Sequence, residues 1–165
     1  MPILDQHSFE FISRSAEQTR RLGMRLGALL RSGDVICLVG ELGSGKTTLA
    51  QGIASGWGSL DQVTSPTFVL VNVYRGPDGQ RLYHLDAYRL KDAGEAEDLD
   101  MDVMLEGGLL VVEWAERIRE VLPPEHLWVT LRWIDDDQRD LVFAARGSRY
   151  ENVLSAVKKQ LFGVV

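Results

Sequence analysis

The chain is expected to fold as an α/β protein, a three-layer sandwich around a mixed, mainly parallel central sheet with one antiparallel β-hairpin. Three observations lead there. Residues 35–39, Val-Ile-Cys-Leu-Val, form the short β-branched apolar run of a strand buried on both faces. A glycine loop, Gly40-Glu41-Leu42-Gly43-Ser44-Gly45-Lys46-Thr47, follows at once, and residues 47–57 after it carry Leu49, Ile53 and Ala54 at helical spacing. Residues 68–74 and 81–86 read as two strands joined by the turn Gly76-Pro77-Asp78-Gly79. A purely parallel βαβ protein has no such hairpin.

The remaining elements follow in order. Residues 9–13 are mostly apolar and read as a short strand. Ser15-Ala16-Glu17-Gln18 has the Ser-x-x-Gln form of a capping box and opens a helix. Leu22, Leu26, Leu29 and Leu30 give that helix one apolar stripe to about residue 31, and Ser32-Gly33-Asp34 turn the chain into strand 35–39. Residues 92–106 are acidic and helical in pieces. Residues 109–114 form a further buried strand, followed by a helix to residue 121 and a break at Pro123-Pro124. Two strands, 127–134 and 139–145, flank the acidic turn Asp135-Asp136-Asp137, and residues 150–161 close the chain as a helix.

At 165 residues, the length suits a single domain spanning 1–165 with a real core. The formal net charge of -6 argues against autonomous, charge-driven binding to DNA or RNA. No apolar run reaches the length of a membrane span, and the N-terminus lacks a secretory signal. Cys37 is the only cysteine, so one chain has neither a disulfide framework nor a zinc cluster, and a reducing cytoplasm is the expected setting. Within its strand Cys37 reads as a small core residue.

The glycine loop matches G-x-x-x-x-G-K-[ST] and stands between a strand and a helix, which places the chain in the P-loop NTPase fold class. Glycines at 40, 43 and 45 allow backbone conformations closed to other residues, so that successive N–H groups can line a concave anion nest. The following helix adds unpaired N–H groups and the positive end of its dipole. Lys46 then reaches the β- and γ-phosphates of a nucleoside triphosphate, and the Thr47 hydroxyl binds Mg2+.

A triphosphatase also needs a second carboxylate near the metal and a group that senses or orients the γ-phosphate. Asp86, in His84-Leu85-Asp86-Ala87-Tyr88-Arg89, and Glu113, in Val111-Val112-Glu113-Trp114, stand at or near the carboxyl ends of expected strands, where ligands bind in open α/β sheets. Either could hold magnesium or its water, or orient the attacking water; the plainer reading of each is a surface or capping acid. Thr67, in the hydroxyl-rich turn Thr64-Ser65-Pro66-Thr67-Phe68, lies where a mobile switch meets the γ-phosphate, although the same residues also suit a plain proline turn. His84 reads as a strand residue with a satisfied hydrogen bond. Arg20, Arg21, Arg25 and Arg31 make the first helix basic, best read as a solvated face, as is the acidic run 95–102. No Asn-Lys-x-Asp stretch follows to select guanine.

In combination, the glycine loop, Ser65-Pro66-Thr67-Phe68, His84-Leu85-Asp86-Ala87-Tyr88-Arg89 and Val112-Glu113-Trp114 resemble the TsaE (YjeE) family of bacterial ATPases in tRNA threonylcarbamoyladenosine synthesis. The resemblance is close over residues 33–120. It implies an ATP/ADP site on Leu42, Gly43, Ser44, Gly45, Lys46, Thr47 and Thr48, and Mg2+ ligands at Thr47 and Glu113. It also implies a Walker-B-like aspartate at Asp86 and a switch threonine at Thr67, so that Lys46, Asp86, Thr67 and Glu113 form the catalytic set. The implied partners are the TsaD and TsaB proteins, with tRNA engaged indirectly through them. The implied role is Mg-dependent ATP hydrolysis that supports threonylcarbamoyl transfer by TsaD; because no arginine finger can be named in the sequence, hydrolysis by the chain alone is expected to be slow. The alternatives are a small-molecule kinase, which would need an acceptor pocket and a lid, and a nucleotide-dependent binding module without turnover.

Overall fold

A computed structural model describes residues 7–63, 71–90 and 93–162, without the side chains of residues 89 and 93. Strand β1 (Ser8–Ser13) leads into helix α1 (Ala16–Gly27), strand β2 (Val35–Val39) and helix α2 (Lys46–Trp57). The hairpin strands β3 (Val71–Arg75) and β4 (Arg81–Asp86) follow, then the short helices α3 (Ala93–Glu97) and α4 (Met101–Gly107). Strand β5 (Gly108–Glu113), a 3-10 segment (Ala115–Val121), strands β6 (His126–Trp133) and β7 (Arg139–Arg146) and helix α5 (Ser148–Phe162) complete the chain.

The strands form one sheet in the order β1-β7-β6-β2-β5-β4-β3. The four inner strands, β6, β2, β5 and β4, are parallel to one another, while β3, β7 and β1 add antiparallel edges. This is the expected mixed sheet, and β3–β4 is the expected hairpin. Side chains alternate across the pleat. Ile36 and Leu38 therefore join Leu49, Ile53 and Leu154 in a core beneath α1, α2 and α5. Val35 and Cys37 join Ala96, Met101 and Ile118 in a second core on the opposite face. Burial pushes the Cys37 thiol up to about 12, in keeping with an unreactive core residue.

Helix α1 begins as its capping sequence foretells, with the Ser15 hydroxyl accepting from the Gln18 N–H at 3.0 Å. The Gln18 side chain returns one residue earlier than a regular capping box, accepting from Arg14 N–H at 2.7 Å. The helix stops at Gly27, short of the expected residue 31. There the chain tightens into three-residue turns, Leu29 N–H to Leu26 O and Leu30 N–H to Gly27 O. The expected helix before residue 121 is instead 3-10, broken by Ile118 at φ -129°.

The sequence pattern did not foretell how closely α1 and α2 approach. A Cβ on Gly23 would stand 2.6 Å from Leu49 O, and one on Gly27 2.0 Å from Ile53 O. In return, a Cβ on Gly52 would stand 2.2 Å from Arg20 O, and one on Gly56 2.0 Å from Met24 O. Each helix offers two glycines four residues apart, so they share one face and the backbones meet there. Because α2 starts at the glycine loop, this contact fixes the loop's direction.

The start of β2 is tied to the C-terminal helix. Tyr150 Oη accepts the Val35 N–H at 2.9 Å, and buried Asp34 accepts from Arg149 Nη2 at 2.8 Å and from Arg31 N–H at 2.8 Å. Tyr150→Phe leaves the Val35 N–H buried without an acceptor. We expect a loss of about 1–3 kcal/mol in urea unfolding, with the chain still folded.

Candidate functional site

Strand β2 ends at the sheet centre, and the chain must turn sharply there to enter α2. Gly43 and Gly45 take φ of 82° and 102°, the left-handed region that a side chain disfavours. Gly40 meets a second limit, because a Cβ there would lie 2.5 Å from Leu131 O and 2.6 Å from Ser44 Oγ. Gly45 is the N-cap of α2, so no side chain caps that end. The first-turn N–H groups of α2 have no acceptor within the helix and collect at the loop.

The Lys46 ammonium folds back over the loop. It donates to Gly40 O, to Glu41 O at 2.9 Å and to Ser44 Oγ at 3.4 Å. It also lies 4.1 Å from the ring centroid of Trp114. Burial lowers its pKa from the usual lysine range, while Glu113, Glu116, Asp86 and Glu41 pull the other way. Trp114 reaches this position from a left-handed backbone at φ 60°, immediately after β5. Tyr88 packs against it with the rings tilted by 52° and 4.9 Å between centroids, and the Arg117 guanidinium lies 5.0 Å from the Tyr88 ring centroid.

Parallel pairing of β4 with β5 sets Asp86 opposite Glu113. Both side chains stand on the α2 face of the sheet, in line with Leu82, Leu109 and Val111, which pack under that helix. Buried Glu113 accepts from Thr47 Oγ1 at 3.5 Å, and its second oxygen lies 2.5 Å from His84 Nε2. Asp86 accepts the Tyr88 N–H at 3.0 Å and so caps the turn that follows β4. It therefore has the capping role foreseen as its plainer reading while also facing the site.

A cavity of about 480 Å³ unites these groups. Its lining combines Leu42, Gly43, Gly45, Lys46, Thr47 and Thr48 of the loop and the start of α2 with Asp86, Tyr88, Glu113, Trp114 and Arg139. Of the expected loop residues, Ser44 alone does not line it: its side chain is buried inside the loop, where its hydroxyl meets Lys46. Thr67 lies outside the described residues.

Sequence reading missed Arg139. It begins β7 and donates from Nε to Gly43 O at 3.1 Å and from Nη1 to Asp135 O at 2.6 Å. Nothing in its spacing marks it, because β1-β7-β6 pairing alone carries it 96 positions back to the loop. Tyr88 stood inside a quoted motif without a role, and His84 was read as an ordinary strand residue.

Among the described residues no group of three or more His, Cys, Asp or Glu side chains could hold a metal ion. Thr47 and Glu113 offer oxygen donors only, a hard-cation set that suits Mg2+ completed by phosphate oxygens and water.

A parallel strand, a glycine loop and a helix, with an ammonium, a hydroxyl and two carboxylates gathered at the strand ends, define the P-loop class of α/β proteins. The family model described as "Threonylcarbamoyl adenosine biosynthesis protein TsaE" matches residues 13–141. The chain belongs to the TsaE family. It is 43% identical over 137 residues to the tRNA threonylcarbamoyladenosine biosynthesis protein TsaE of Bacillus subtilis, covering 82% of this chain and 84% of that one. The protein of the same name from Streptomyces coelicolor is 51% identical over 110 residues, 66% of this chain and 74% of its own. The crystal structure of YdiB from Bacillus subtilis superposes with a TM-score of 0.76 at 34% identity, over 93% of this chain and 95% of that one.

Proposed function

We propose that this chain is the ATPase subunit of the machinery that forms N6-threonylcarbamoyladenosine next to the anticodon of ANN-reading tRNAs. On this reading it binds and hydrolyses Mg·ATP, and its cycle supports turnover by the TsaB–TsaD pair without transferring the threonylcarbamoyl group itself. One observation carries the nucleotide part: Lys46, Thr47 and Glu113 converge at the start of α2, beside a loop whose backbone has no side-chain cap. Membership of a family whose relatives bear the name tRNA threonylcarbamoyladenosine biosynthesis protein carries the rest.

Residue roles follow from position. The N–H groups of residues 42–48 and the Lys46 ammonium hold the β- and γ-phosphates, where charge builds during transfer to water. Thr47 and Glu113 would hold Mg2+, which when bound would draw negative charge off the phosphate. Asp86, and Thr67 from the segment ahead of β3, place the water or report the γ-phosphate. No membrane attachment enters this reading, and among the described residues no helix is long and apolar enough to cross a membrane.

Two experiments test the proposal. Glu113→Ala is expected to lower Mg-dependent ATP binding or hydrolysis by roughly 10- to 100-fold, the range for a lost metal ligand or its support. Intact metal dependence, read by titrating Mg2+ against a fluorescent ATP analogue, would remove Glu113 from the metal site. Phosphate release should be slow for the chain alone, and faster by at least about tenfold with the TsaB–TsaD pair, because electrostatic groups supplied by a partner accelerate such reactions. A rate unchanged by the pair would count against the complex. Appearance of a phosphorylated small molecule instead of free phosphate would favour a kinase.

A further inference from the structure

We infer that His84 is a positioning residue that fixes the Glu113 carboxylate so that one of its oxygens faces Thr47. The inference rests on the metal reading of Thr47 and Glu113 given above. His84 and Glu113 are 1% and 5% exposed, set between Leu82, Leu109 and Val111 on adjoining strands. A carboxylate in such a place is costly unless hydrogen bonds hold it. Leucine in place of each would serve packing alone, so the pair calls for a use.

The two oxygens of Glu113 have different partners. Oε2 meets His84 Nε2 at 2.5 Å, and Oε1 meets the Thr47 hydroxyl at 3.5 Å. The terminal torsion of glutamate is broad and has little preference of its own. A short hydrogen bond to Oε2 removes that freedom and leaves Oε1 facing the start of α2. Tyr74 Oη lies 3.4 Å from His84 Nδ1. With the tyrosine donating to Nδ1, the imidazole carries its proton on Nε2 and donates it to Glu113. The chain Tyr74–His84–Glu113–Thr47 thus joins β3, β4, β5 and α2, in the way outer groups orient a ligating carboxylate.

The test uses the full chain bound to ADP, with Mn2+ as the probe and free Mn2+ followed by electron paramagnetic resonance. His84→Leu keeps the volume and removes the donor, and should weaken Mn2+ affinity roughly 10- to 100-fold. ADP affinity in EDTA, which needs no metal, should stay within about twofold, since uniform loss would mean structural damage. His84→Gln places an amide N–H near the lost Nε2 and should restore Mn2+ affinity to within about threefold. Tyr74→Phe supplies a second reading if His84→Leu fails to fold, and should weaken Mn2+ binding by a smaller factor.

Wild-type Mn2+ affinity in His84→Leu, or in Tyr74→Phe should that variant stand alone, would overturn the inference. Equal losses with and without metal, or a His84→Gln variant as weak as His84→Leu, would also overturn it. Glu113→Ala runs beside them. If Glu113→Ala loses Mn2+ and His84→Leu does not, only the positioning role falls. If Glu113→Ala keeps Mn2+, the metal assignment falls and the role of His84 with it.

Discussion

Gly27→Ala is expected to destabilise the fold by about 3 kcal/mol or more, the upper end of what overpacking costs. The added Cβ would sit 2.0 Å from Ile53 O, 2.8 Å from Ile53 C and 2.9 Å from Trp57 N. All three are backbone atoms of α2, so no rotamer change relieves the clash. The helices must part, which loosens the contacts of Leu22, Leu26, Leu49, Ile53 and Trp57. Alanine's better helix propensity returns only about 1 kcal/mol. For a chain this long, the expected fall in Tm is about 6–12 °C. Gly107→Ala is the control. Among the described residues, nothing beyond its chain neighbours and its own helix backbone lies within 4 Å of the new Cβ, and it ends α4 without a left-handed backbone, so it should be neutral or mildly stabilising. Equal Tm values for the two variants would show that α1 and α2 do not need their close approach.

Lys46→Ala carries the largest expected functional effect. The ammonium stands between the loop carbonyls of Gly40 and Glu41 and the face of Trp114, with Asp86 and Glu113 nearby. Its removal leaves Asp86 and Glu113 facing the incoming polyphosphate, with Arg139 the one cation left among the described residues that line the cavity. Truncating one partner of a buried, hydrogen-bonded charge pair costs about 2–5 kcal/mol, which is about 30-fold or more in affinity. Isothermal titration with Mg·ATP reads the loss directly. Lys46→Met keeps a long apolar side chain without the ammonium and should lose as much binding as alanine, which separates charge from packing. Retention of wild-type affinity by either variant would remove Lys46 from phosphate binding.

Much of this architecture was legible in the sequence because its signals are local. The run 35–39 and the glycine loop fixed β2, the turn and the start of α2. Strand periodicity located β4 and β5, and so set Asp86 and Glu113 at strand ends, although only the register shows them opposite one another. What escaped depends on contacts across the sheet or between helices. Gly23, Gly27, Gly52 and Gly56 were visible as residues, but a search for apolar stripes passes over glycine. Their spacing matters only once two helices touch. Arg139 reaches the loop through the antiparallel β6–β7 pairing, which no spacing encodes. His84 sits two residues before Asp86, and its bond to Glu113 spans 29 positions. The break at Ile118 and the early end of α1 reflect local turn geometry, the level at which element boundaries are least determined.

The central claim is that residues 42–48, the Lys46 ammonium and one divalent ion grip the phosphates of ATP. Titrating the purified chain with ATP in Mg2+, followed by tryptophan fluorescence and by calorimetry, tests it most directly, because Lys46 already lies against Trp114, one of the four emitting rings. The account predicts saturable binding that changes the fluorescence, weakens when EDTA replaces Mg2+ and is lost in Lys46→Ala. No heat and no fluorescence change up to millimolar Mg·ATP, for the chain alone and with the TsaB–TsaD pair, would contradict it.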